Sequence, residues 1–236
     1  MAKEIKVKKG TFTGITKKYT MSDTCLIKEG NFRFEKDGLK ITGNSPGKEA
    51  RSSVWLKKSA FKEYEELGNV GLDDLDTVIK VMNRFGEIVT IKVEGNLATL
   101  KSENKSVDIE TVAEDYIKTD TGEPTLEFVD TFEITATRLK DIMADAQLNS
   151  DAEIRIETTD KKVTFSNTGK YKFKNEIEAL ICKGGASSRF GKAFIDAVKY
   201  LDGNLEISVG NTFPIRVVER TETSVVTIIV APLADN

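Results

Sequence analysis

Residues 72–113 read LDDLDTVIKVMNRFGEIVTIKVEGNLATLKSENKSVDIETVA, and residues 187–231 read SSRFGKAFIDAVKYLDGNLEISVGNTFPIRVVERTETSVVTIIVA. Laid side by side, they keep one order. Each opens with apolar residues at the spacing of a single helical face: Leu72, Leu75, Val78, Ile79, Met82 and Phe85 in the first, Phe190, Phe194, Ala197, Val198 and Leu201 in the second. Each continues in short runs that alternate apolar and polar residues, with Gly95-Asn96 or Gly210-Asn211 expected as the turn between strands. Such alternation is what an antiparallel sheet covered on one face requires. Self-similarity on this scale marks a repeated architecture.

Upstream of each stretch lies another of the same kind. Phe12, Ile15 and Tyr19 share a face in TFTGITKKY, and TCLIKEG, NFRFEKDG, LKITG and SSVWLKK follow as strand candidates. In the second half Leu139, Ile142, Met143 and Ala146 share a face, followed by AEIRIETTD, KKVTFSNTG and KYKFKNEIEAL. The sequence therefore predicts an α+β fold of two repeated domains, 1–116 and 132–236, with helices packed on antiparallel sheets. Residues 117–131, holding Gly122 and Pro124 and no helical period, read as an extended connector. Leu126 and Phe128 are spaced to point to one side of it, either onto the sheet beneath or into a surface groove.

Composition narrows the chemistry. A chain of 236 residues, 39% of them hydrophobic, can bury two cores and is expected to be soluble and globular. No run reaches the ~18–20 apolar residues of a membrane span, and MAKEIKVKKG lacks the apolar core of a secretory signal, so a cytoplasmic chain is expected. Cys25 and Cys182, far apart and without a CxxC partner, read as free thiols. Histidine is absent, which removes the commonest general base and zinc ligand. GGASSRFGKAF imitates a phosphate loop, but five residues separate Gly185 from Gly191 where that loop has about four, and Ala193 stands where a hydroxyl should meet magnesium. It reads as a glycine-rich loop leading into a helix. Asp73, Asp74 and Asp76, and the run DTGEP, lack calcium-loop spacing, and the first group suits a helix N-terminus. No cofactor, metal or catalytic residue is expected, so the chain reads as a non-enzyme.

Charge is distributed unevenly. Opposite the apolar stripes stand Lys17 and Lys18, Lys80 and Arg84, Arg138 and Lys140, and then Arg189, Lys192 and Lys199. With 38 acidic residues against 35 basic ones, a basic helix layer leaves the rest of the surface more acidic. That segregation suits a loosely held polyanion, since phosphate contacts carry affinity without sequence information. Asp141, Asp145 and Asp196 on the same helices equally allow ordinary i,i+4 pairing, and charge alone leaves both readings open.

SSVWLKKSAFKEYE, FPIRVVE and IIVAPLAD, in that order and joined to the repeat, the connector and the basic helices, resemble the DNA sliding clamps of the proliferating cell nuclear antigen (PCNA) family, of archaeal or viral type. The resemblance covers nearly the whole chain. It implies a homotrimeric ring around duplex DNA, acting as a processivity factor in replication and repair, with no membrane association and a place in the cytoplasm, nucleoid or nucleus, wherever DNA is replicated. Lys17, Lys18, Lys80, Arg84, Arg138, Lys140, Arg189, Lys192 and Lys199 would then face the phosphates. Leu126, Phe128, Pro214, Ile229, Ala231 and Pro232 would form an apolar slot for short peptide motifs of DNA polymerase, clamp loader and other client proteins. Edge strands near Val107–Val112 and Lys170–Ile177 would pair between copies. The alternative is a clamp-like accessory subunit of a heteromeric ring or a monomeric DNA-binding processivity factor. An enzyme is disfavoured by the missing histidine and phosphate loop.

Overall fold

The computed structural model describes residues 3–21, 26–117 and 124–234. Cys25 and the part of the expected connector at 118–123 lie outside the described residues. The chain divides into two compact units, one of Met1–Gly47, Arg51–Gly122 and Thr221–Val226, the other of Lys48–Ala50, Glu123–Arg220 and Thr227–Asn236.

The first unit runs β1 (Glu4–Lys8), α1 (Lys9–Thr20), β2 (Gly30–Glu35), β3 (Gly38–Asn44), β4 (Ala50–Lys57), β5 (Phe61–Glu63), β6 (Gly68–Leu72), α2 (Leu75–Met82), β7 (Ile88–Glu94), β8 (Leu97–Ser102) and β9 (Lys105–Glu110). Strand neighbours are β5-β1-β7-β8-β9 and β6-β2-β3-β4. Of the strand expected in TCLIKEG, residues 26–29 form none, and Gly30 opens β2 with the NFRFEKDG candidate. Alternation explains the burial: Ile5 and Val7 of β1, and Val89 and Ile91 of β7, turn inward under the helices. Phe12 of α1 stacks on Phe32 of β2, centroids 6.1 Å apart. Tyr19, fully buried, donates its hydroxyl toward the carbonyls of Glu29 at 2.9 Å and Thr42 at 3.1 Å, which satisfies the one polar atom it carries into the core. Gly43 makes room for it, because a Cβ there would lie 2.1 Å from the tyrosine oxygen.

α2 starts where the acidic cluster suggests. Asp74 is its N-cap, accepting the Thr77 backbone N–H at 3.0 Å and the Thr77 hydroxyl at 2.6 Å. These two bonds hold its carboxyl below the usual carboxylate range. Glu94 pairs with Leu97 across a two-residue turn in which Gly95 takes φ 60°, the left-handed conformation such turns demand.

The second half of the chain repeats the pattern: β10 (Asp130–Thr135), α3 (Ala136–Ala146), β11 (Ile154–Thr159), β12 (Lys162–Ser166), β13 (Lys174–Glu178), β14 (Ser187–Phe190), α4 (Lys192–Val198), β15 (Asn204–Val209), β16 (Ile215–Arg220) and β17 (Ser224–Val230), whose first three residues are counted in the first unit. Strand neighbours are β13-β12-β11-β14 and β10-β15-β16-β17, the same arrangement as in the first unit without a counterpart of β5. α3 is capped by Thr135, whose hydroxyl accepts the Arg138 N–H at 3.2 Å. Phe132 and Phe165 meet edge-on in the core, 6.1 Å between centroids.

Two local expectations change. β14 interrupts the glycine-rich run before α4, so Phe190 ends a strand and Leu201 lies beyond the helix. The expected Gly210-Asn211 turn widens to residues 210–214, since Pro214 has no N–H for the ladder and β16 begins one residue later. Cys182 is a buried free thiol at 3.7 Å from the Thr131 carbonyl oxygen, and burial together with the neighbouring Asp130 pushes it up to about 11.

Candidate functional site

The glycine-rich loop is already committed to its own fold. Its Lys183 and Gly184 N–H groups donate to the buried Asp130 carboxylate at 2.9 and 3.1 Å, and Thr158 adds its hydroxyl at 2.5 Å. An internal carboxylate occupies the donors that a phosphate would need. Among the described residues, no group of three or more acidic or sulfur ligands could hold a metal ion.

The chain's last described segment has a defined course within the second unit. After β17, the Ala231 N–H donates to the Glu49 carbonyl at 2.8 Å and the Leu233 N–H to the Arg189 carbonyl at 2.8 Å. Arg189 also reaches the tail with its side chain, donating Nη2 to the Ala234 carbonyl at 2.6 Å, while its Nη1 pairs with Glu153 at 3.2 Å. Leu233 and Ala234 therefore lie beside Arg189 at the outer edge of β14, an arrangement that blunts an exposed strand. Leu233 closes over Gly191, where a Cβ would stand 3.3 Å from its side chain.

Of the expected slot residues, Ile229 is buried, while Leu126, Phe128, Pro214, Ala231 and Pro232 are half-buried. Phe128 meets Phe213 edge-on at 5.7 Å, and the Arg216 guanidinium lies over the Phe128 ring, 4.7 Å from its centroid. Phe213 and Arg216 flank the segment that holds Pro214, so the turn before β16 and the connector form one aromatic patch.

The basic candidates separate into two groups. Lys17 and Lys18 stand in the last turn of α1; Lys80 is on α2 and Arg84 just past its end. In the second unit Arg138 and Lys140 are on α3, Lys192 opens α4 and Lys199 caps it. Asp partners temper this charge: Asp76 pairs with Lys80, Asp202 with Lys140 at 3.4 Å and Asp196 with Lys192 at 2.7 Å. Arg138 donates to the Asn175 side chain on β13 at 3.0 Å. Arg189, expected on a helix face, is instead on β14, where it holds the tail.

No family model matches the chain. In sequence it is 27% identical over 135 residues to a DNA polymerase sliding clamp of Nanoarchaeum equitans, covering 54% of each chain. It is 23% identical over 185 residues to one of Thermofilum pendens, covering 73% of this chain and 74% of that one. The match thus spans about half the length of the Nanoarchaeum protein. In structure it superposes on A. fulgidus PCNA, solved with the C-terminal region of FEN-1 bound, with a TM-score of 0.86 at 19% identity and 100% of both chains covered. The fold is that of the PCNA-type sliding clamps. Two further clamps agree. Entamoeba histolytica PCNA gives a TM-score of 0.81 at 18% identity, and the PCNA2–PCNA3 complex of Sulfolobus tokodaii gives 0.78 at 18%; each match covers 99% of this chain and 100% of the other.

Within the clamp fold, sequence reasoning misses three residues of the patch and tail: Phe213, Arg216 and Leu233. Arg216 stands two residues after Pro214, which places it on the same face of an extended chain, and that spacing could have found it. Leu233 bonds Arg189 through its backbone N–H, which leaves no side-chain signature, and its side chain covers Gly191.

Proposed function

We propose that this chain is a DNA polymerase sliding clamp, a non-enzymatic processivity factor that encircles duplex DNA as a ring and tethers replication and repair proteins to it. The observation that carries this reading is the repeated fold itself, matched over the whole chain by A. fulgidus PCNA. A tether raises the local concentration of a polymerase at its template without needing a catalytic group.

In this reading the division into domains at 1–116 and 132–236 with a connector between is retained. Lys17, Lys18, Lys80, Arg84, Arg138, Lys140, Lys192 and Lys199 supply the phosphate contacts, partly neutralised by Asp76, Asp196 and Asp202, so the hold on DNA is loose enough to slide. Three copies close the ring by pairing the exposed edge strand β9 of one with β13 of the next, which leaves neither edge open. Clients insert an apolar side chain among Leu126, Phe128, Pro214, Ile229, Ala231 and Pro232. Burying one such side chain contributes roughly 1.5–3 kcal/mol, which fits exchangeable docking.

The test is topological. Loaded by its host's loader onto a nicked circular plasmid, the protein should co-elute with the circle and fall off when one cut linearises it. Retention that survives linearisation would contradict encirclement.

A further inference from the structure

We infer that the second unit carries a carboxylate-binding site between β11, β14 and the 211–212 turn, which takes an acidic side chain of a peptide docked beside it; the inference rests on the docking reading above. Arg155 and Arg189 stand directly opposite in the β11–β14 register. The Arg189 carbonyl accepts the Leu233 N–H and so faces away from β11. That makes the arginine pair a non-hydrogen-bonded one, the position where facing side chains come closest, and like charges there are unfavourable.

Only one of the two charges is answered. Arg189 has Glu153 at 3.2 Å and the Ala234 carbonyl at 2.6 Å. Arg155 donates only to the Ser187 hydroxyl, at 3.4 Å, and no carboxylate pairs with it among the described residues. Asn211 orients the site: its Oδ1 accepts the Ser187 N–H at 2.8 Å, which leaves its NH2 as a donor. Arg155, Ser187, Arg189, Asn211 and Thr212 bound a cavity of about 270 Å³. The site thus offers a guanidinium fork, an amide N–H and hydroxyls, and among the residues that bound the cavity Arg155 is the one charge with no carboxylate partner. A carboxylate matches both the fork and the single charge, whereas a phosphate dianion would remain half neutralised.

The same turn points to the ligand's source. From Asn211 and Thr212 it continues into Phe213, whose N–H donates to the Ser188 hydroxyl at 3.0 Å and whose ring packs on Phe128. A peptide anchored at Phe128 and Phe213 can therefore carry an acidic residue into the cavity a few residues away, each spanning at most ~3.3–3.6 Å.

Fluorescence anisotropy with two peptide sets tests this. All carry one Phe-Phe anchor, and one to four residues beyond it they carry either Glu or Gln. The best Glu peptide should bind the intact protein about tenfold more tightly than its Gln twin. Arg155→Gln should erase that preference and leave the Gln peptide's affinity unchanged. Equal affinities for the intact protein, or a preference that survives Arg155→Gln, would overturn the inference. Should no peptide bind, the docking reading fails separately, and titration with N-acetylglutamate, followed at the Arg155 Nε–Hε resonance, decides the site: a saturable shift supports it. No shift, or a shift with inorganic phosphate alone, overturns it.

Discussion

The ring of Phe213 meets Phe128 edge-on at 5.7 Å, and Arg216 lies over Phe128 at 4.7 Å. A residue of the expected connector is thereby held against the turn that opens β16, so the patch proposed for client docking is already formed in the free chain. Preorganisation of this kind lowers the ordering cost of binding.

Truncating the patch should therefore dominate the loss of client binding, as hot spots usually do. Phe128→Ala combined with deletion of residues 231–236 is expected to abolish polymerase stimulation in a primer-extension assay. β17 stays intact in that variant, so its thermal unfolding should remain cooperative and its assembly mass unchanged. Full stimulation by a folded variant would remove the slot from the account.

The DNA interaction should be electrostatic and indifferent to sequence. Replacing Lys80, Arg84, Lys192 and Lys199 with Ala should flatten the dependence of log affinity on log salt by about 0.9 for each phosphate that is no longer neutralised. Polymerase processivity should fall while the ring persists. Sequence-selective binding to linear duplex, measured by competition at one salt concentration, would contradict loose tracking.

Asp74 gives a stability prediction with a sign. Its carboxyl is held low by Thr77, so its contribution is complete above the unfolded value of about 3.9 and is lost as pH falls through the lower folded value. Asp74→Ala should cost about 0.5–2 kcal/mol in urea unfolding at neutral pH, the usual value of an N-cap, and progressively less in acid. Asp74→Asn should retain most of the cap and lose the acid dependence.

The repeat was legible in the sequence because helical and strand periods recur in the same order, and because Asp74 and Thr135 are good caps. What misled was coincidence of spacing. Phe190 and Phe194 are four apart and do touch, with centroids at 5.4 Å, yet the first ends β14 and the second begins the buried face of α4. The i,i+4 rule cannot distinguish a helix from a strand that turns at Gly191 into one. Arg189 went to the wrong element for the same reason. The tail's place beside β14 rests on the Arg189 side chain, which the helix reading puts elsewhere, and on the Leu233 backbone N–H, which is invisible to any reading of side chains.

Native mass measurement tests most directly whether copies of this chain close into a ring. At micromolar concentration and moderate salt, light scattering or native mass spectrometry should report three times 26.1 kDa. Asp108→Lys with Glu110→Lys on the β9 edge should reduce that to one chain, without loss of folded signal, if the β9–β13 pairing closes the ring. A mass of 26.1 kDa for the unaltered protein at every concentration tested would contradict a self-closing clamp.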